Sequence, residues 1–126
     1  MIQIVDKAID LQILLNDVKS NDSGSLVVHF GIVRPTSEGK TVSSIEYRIE
    51  EKEAKRELDQ IIGDIKNKWQ IQDCTLIRRK GKLQLGETIL AAAIAAPHRK
   101  DAFEACQYAV ERLRGMVSVK KIESFG

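Results

Sequence analysis

Cysteine, aromatic residues and charge of one sign are all in short supply in this chain, and each shortage removes a class of function. Its 126 residues include two cysteines, Cys74 and Cys106, both in apolar settings. They lack the close spacing of a zinc or redox motif and read as buried free thiols. Six aromatic residues offer little for base stacking, and 20 lysines and arginines against 18 aspartates and glutamates leave a net charge of only +2. Nothing in bulk therefore announces a nucleic-acid partner, and any anion site has to be local. No window approaches the roughly 20 apolar residues of a membrane span, and the opening "MIQIVDKAID" has no apolar core flanked by basic residues. We expect a soluble, cytoplasmic protein. No P-loop, GxGxxG or GxSxG occurs, and neither histidine belongs to a Cys-His-Asp cluster, so neither a metal nor a cofactor is expected. There is no internal repeat, and the length fits one domain spanning 1–126.

What is present is strong periodicity. A strand near Ile2–Val5 precedes a short helix whose apolar face is Leu11, Leu14, Leu15 and Val18, broken by "SNDSGS". "LVVHFGIV", residues 26–33, is rich in strand formers, and "PTSEGK" behind it supplies a loop. Ile45, Tyr47 and Ile49 then alternate with Glu46 and Arg48 as in a half-buried strand. Ala54, Leu58, Ile61, Ile62, Ile65 and Trp69 mark a long amphipathic helix with an ordinary solvated face. "CTLIRRKGKLQLGETILAAAIAAP" reads as two strands joined through Gly81 and Gly86. Its last stretch, Ile89 to Ala96, is apolar at every position, which predicts cover on both faces. A final helix buries Phe103, Cys106, Val110 and Leu113 with Ala102 and Ala109, ends at Gly115 as a C′ residue, and is followed by a strand over "VSVKKIES". Strands mixed irregularly with three helices predict an α+β domain.

The segment "APHRKDAFEA" puts His98, Arg99 and Lys100 at the start of that helix, where unpaired N–H groups already carry partial positive charge. Cations there make sense if an anion occupies the spot. Offset by Asp101 and Glu104 and simple solvation is the alternative on the residues alone. On the closing strand, Val117 and Val119 share a face with Lys121, whereas Ser118 and Ile122 share one with Lys120, so Lys121 continues the more apolar side. A lysine at such an edge can serve as proton carrier or nucleophile, although paired lysines near a terminus are also common surface charge. Arg34, where strand meets loop, and Arg114, in the last helical turn, complete the set; each has a plain alternative as loop charge or dipole complement. His29, inside an apolar strand, reads as a hydrogen-bonded structural histidine.

"HFGIVRPTSEGKTVSSIEY", "RRKGKLQLGE", "APHRKDAFEA" and "VKKIE" together, in order and near register over residues 24 to 123, resemble the large, catalytic subunit family of molybdopterin synthase. The resemblance implies an α/β hammerhead-type fold with a mixed or antiparallel sheet. It also implies conversion of cyclic pyranopterin monophosphate (precursor Z) to molybdopterin, a sulfurtransferase step of molybdenum cofactor biosynthesis. The sulfur would arrive as a thiocarboxylate on the C-terminal Gly-Gly tail of a small ubiquitin-like subunit, within a heterotetramer built on a homodimer of the large subunit. Carried over position by position, it implies substrate contacts from Ile32, Val33, Arg34, His98, Arg99, Arg114, Lys121 and Glu123, with catalytic roles for Lys121, Arg114 and His98. A cyclic phosphate and a tetrahedral oxyanion both need preorganised positive donors, and the proton transfers need a group that titrates, which His98 or Lys121 can supply and an arginine cannot.

The sequence departs from the family pattern at several points. Arg114 stands where a lysine is usual, Ser118 and Lys120 where proline and tryptophan are usual, and Arg78 where a histidine is common. A one-residue shift would make Lys120 the pocket lysine, and the chain stops at Gly126, sooner than is usual for the family. Arg114 supports a second hypothesis, a non-catalytic relative that binds the pterin or the small subunit without turnover. A third, an RNA-binding module, meets the shortage of aromatic residues.

Overall fold

The all-apolar run becomes the centre of the molecule. In the computed structural model, which describes residues 1–18 and 22–125, strand β7 (Thr88–Ala96) lies between β5 (Asp73–Arg79) and β2 (Ser25–Ile32), antiparallel to both. β1 (Ile2–Val5) completes this four-stranded sheet by pairing parallel to β5. Helices α2 (Glu51–Lys68) and α3 (Arg99–Arg114) cover one face, meeting Leu90, Ala92, Ile94 and Ala96 of β7. Helix α1 (Leu11–Val18) covers the other, setting Leu14 and Val18 against Ala91, Ala93 and Ala95. Cover on both faces is why β7 carries no polar residue after Thr88; any would lie buried without water. Part of the break expected at "SNDSGS" lies outside the described residues.

The buried stripe of α3 is mostly small: Ala102, Ala105, Cys106, Ala109 and Leu113. Alanine facing alanine across α3 and β7 lets backbones approach closely, since packing distance follows side-chain size. Phe103, expected on this stripe, is 61 % exposed. One helical residue advances about 100°, so Phe103 lies a quarter turn from Ala102, and the alanines, not the bulkiest apolar residue, set the buried direction. Gly115 caps α3 with φ −98°, so the expected left-handed C′ conformation is not used.

A second sheet is built on β4 (Lys40–Ile49). It pairs antiparallel with β8 (Val119–Phe125) and, on the opposite edge, with β6 (Gly81–Leu83). The loop expected at "PTSEGK" is a tight hairpin: β3 (Thr36–Ser37) pairs back onto β4 through Glu38 and Gly39, both with positive φ (52° and 78°), as a two-residue hairpin turn requires. Likewise the third block holds three strands, not two. Gly81, with φ of 99°, turns the chain into β6, which leaves the first sheet and joins β4, and Gly86, with φ of 83°, lies in the turn that leads on to β7. Three residues are too few to show a readable period. Val33, Val42, Ile45, Tyr47 and Leu83 form this sheet's own buried cluster. Both cysteines are free and buried, and burial pushes the thiols up, Cys74 to about 12 and Cys106 to about 11. No described helix is long and apolar enough to cross a membrane.

Candidate functional site

Where the end of β2, the last turn of α3 and one face of the β4–β8 ladder meet, they leave a cavity of about 270 Å³. The ladder register explains its chemistry. Tyr47 lies opposite Lys121 and Ile45 opposite Glu123, so the alternating residues Val119, Lys121 and Glu123 project on the same side as Ile45 and Tyr47, and all five line the cavity. Lys120, turned to the other face, does not line it. Arg34 enters from the turn after β2, Arg114 from the end of α3, and Arg78 from the end of β5. The rest of the wall includes Ile32, which is 51 % exposed, Leu90 and Met116.

Four cations and one carboxylate thus share an otherwise largely apolar wall. Lys121 Nζ lies 3.6 Å from Glu123 Oε1 and its side chain keeps 43 % exposure, while Glu123 Oε2 is buried without a hydrogen-bond partner. Arg78 is 3 % exposed; its Nη1 donates to Leu113 O at 3.1 Å and its guanidinium carbon lies 5.1 Å from the Tyr47 ring centre. Burial raises the Tyr47 hydroxyl above its ordinary value, with Arg78 and Arg114 opposing that rise and Glu123 adding to it. Such a site favours an anion, because its positive groups are fixed by the fold before any ligand arrives.

Of the residues singled out in the sequence, Ile32, Arg34, Arg114, Lys121 and Glu123 come together here. Val33 does not: it is 2 % exposed, packs into the cluster of the second sheet, and ties the chain through backbone bonds to Glu87 and Gly86. His98 and Arg99 do not either. They are exposed at the first turn of α3, and 16 helical residues at 1.5 Å each put them about 24 Å from Arg114. Strand β2 spans the same interval, its start paired to Ala96 beside His98 and its end at the cavity. Within one chain, the His-Arg pair and the cavity cations are therefore separate. His29 also departs from expectation: its buried Nε2 has no hydrogen-bond partner, and burial, then the nearby Arg114 charge, lower its pKa. Tyr47 and Arg78 were missed as site residues. The alternation of β4 signalled that Tyr47 faces inward, but nothing local signalled what it faces.

The family model described as "MoaE protein" matches residues 4–116. The molybdopterin synthase catalytic subunit of Bacillus subtilis is 32% identical over 121 residues, covering 96% of this chain and 77% of that protein. Among solved structures, molybdopterin synthase from Staphylococcus aureus superposes with a TM-score of 0.92 at 31% identity, over 98% of this chain and 90% of that one. A complex of subunits 1 and 2 of molybdopterin-converting factor from Helicobacter pylori shares the fold, with a TM-score of 0.80 at 18% identity, over 98% of this chain and 84% of that one.

Proposed function

Because the chain belongs to the MoaE family, we propose that it works as a molybdopterin synthase catalytic subunit, moving sulfur from a thiocarboxylated carrier tail onto cyclic pyranopterin monophosphate. The observation that carries this reading is the convergence of Arg34, Arg114, Lys121 and Glu123, from three separate parts of the chain, on one cavity. An extended tail ending in Gly-Gly has no side chains to exclude it from such a cleft, and its terminal group is an anion. The thiocarboxylate sulfur attacks a carbon of the pterin side chain, whose bond to oxygen breaks. Water then adds to the carbonyl of the resulting thioester, the acyl C–S bond breaks, and the tail leaves as a carboxylate with the sulfur left on the pterin as a thiolate. One tail is consumed for each of the two sulfurs. The tetrahedral intermediate on the tail places negative charge on oxygen, which Arg34 and Arg114 are placed to meet. Arginine holds charge but does not hand over a proton at neutral pH. Proton transfer therefore falls to Lys121, with Glu123 beside it to orient the ammonium. Ile32 offers the pterin an apolar contact.

His98 and Arg99 lie too far from the cavity to serve it within one chain, so we assign them to the cavity of a second copy in a homodimer. The small sulfur-carrier subunit would complete a heterotetramer. Single-turnover dithiolene formation from cyclic pyranopterin monophosphate and thiocarboxylated small subunit tests the whole reading. Turnover by the wild type, lost in Lys121→Ala, is the expected result. Arg114, where the family pattern has a lysine, favours one other reading, a binding protein without chemistry. Silence in the wild type with activity in Arg114→Lys would establish that alternative.

A further inference from the structure

Among the described residues, none provides a carboxylate for the buried cation Arg78. At 3 % exposure it donates to the Leu113 carbonyl and stacks against Tyr47, while its Nε is buried with no partner among the described residues. The one carboxylate lining the same cavity, Glu123, leaves Oε2 without a partner and has Lys121 beside Oε1, so it does not serve as the counter-ion. Arg114, also on the wall, adds a second positive charge nearby. Leaving a charge out of water without a counter-charge is costly, and buried charges in folded proteins are normally paired. A guanidinium held by a carbonyl on one side and an aromatic ring on another is also fixed in orientation, which suits it to planar recognition of an oxyanion.

We propose that Arg78 is a further anion-binding residue of the cavity, supplying the counter-charge to an oxyanion, phosphate or carboxylate, that enters beside Arg114. Burial lowers its pKa, with Tyr47 opposing that and Arg114 adding to it, the direction expected of a cation buried without a counter-charge. The naming of the two anions rests on the reading above: phosphate stands for the pterin substrate, carboxylate for the spent carrier tail.

The test compares wild type with Arg78→Gln and Arg78→Met. Gln keeps a donor for the Leu113 carbonyl while removing the charge. Thermal-shift titrations would use inorganic phosphate, a peptide ending in a free Gly-Gly carboxylate, and the same peptide amidated. The expected result is a binding midpoint at least tenfold weaker in both variants for one anion, with the amidated peptide inert throughout. Loss confined to phosphate assigns a phosphate subsite, and loss confined to the free peptide assigns a tail subsite. Unchanged midpoints in folded variants, even with a lowered melting temperature, would reduce Arg78 to a structural tie and overturn the proposal. A measurement on the wild type alone guards against variants that do not fold. The Arg78 Nε–H nuclear magnetic resonance signal should move on saturation with the bound anion, and a stationary signal overturns the proposal as well. Arg78-dependent binding in a protein that shows no sulfur transfer would sink the functional reading and leave this one standing.

Discussion

The two ends of α3 carry basic clusters in opposite electrostatic settings. At its start, His98, Arg99 and Lys100 are exposed and sit where the helix dipole is positive, with Asp101 as the acidic residue of the first turn. At its end, Arg112 is hydrogen-bonded to Asp64 at 2.7 Å and to the Tyr108 hydroxyl, and Arg114 borders the cavity; there the dipole is negative and cations are favoured. The contrast separates two ways in which a fold holds charge. The C-terminal cations agree with the helix that carries them, whereas the N-terminal ones oppose it, and the proposed assignment of His98 and Arg99 to a ligand would account for that opposition.

Substitutions can widen or close that contrast. The largest effect is expected from Lys121→Ala, which should slow single-turnover sulfur transfer by about 10²–10⁴-fold, the usual worth of a proton carrier. Its half-exposed side chain means urea unfolding should hardly move. Leu113→Ala, at a fully buried position whose own carbonyl holds Arg78, should cost about 2–5 kcal/mol in urea unfolding. A cost below 1 kcal/mol would show that the cavity end of α3 is loosely packed. A mixture of His98→Ala and Lys121→Ala chains tests whether the two ends meet across a dimer. Random pairing makes half the dimers mixed, each with one intact cavity, so activity should recover to roughly a quarter of wild type. No recovery would confine the His-Arg pair to some other task.

Smaller effects concern pH and the dipole. His29 is held below its ordinary pKa of 6.5 by burial and by Arg114. The unfolded chain therefore binds the proton more readily, and stability should be full above that value and fall as pH drops through it. His29→Gln should flatten the slope of unfolding free energy between about pH 7 and 5. Least of all, Lys100→Ser at the positive pole should raise stability by about 0.3–1 kcal/mol at low ionic strength, an effect that salt should erase.

The elements were largely legible because their burial is one-sided or complete. β7 announced itself through an unbroken apolar run, α2 through its period, and β8 through an alternation that already separated Lys121 from Lys120. What misled was size and brevity. Phe103 drew the stripe of α3 toward itself, although the alanines are what the sheet accepts. β3 and β6, of two and three residues, are too short to carry a pattern, and their existence depends on β4 being there to pair with.

The sequence by itself determined most of the buried positions, which face of the last strand looks inward, and, through four segments in register, which family the chain joins. Only the tertiary structure decided which cations share a cavity. Arg34, Arg78, Arg114 and Lys121 are scattered along the chain and meet because β2, β5 and α3 end where β8 begins, while His98 and Arg114, at the two ends of one helix, are held apart by its length. Local pattern reports the free energy of burying a side chain against something; it carries no record of what that something is, because the partner is supplied by chain closure between segments far apart in sequence.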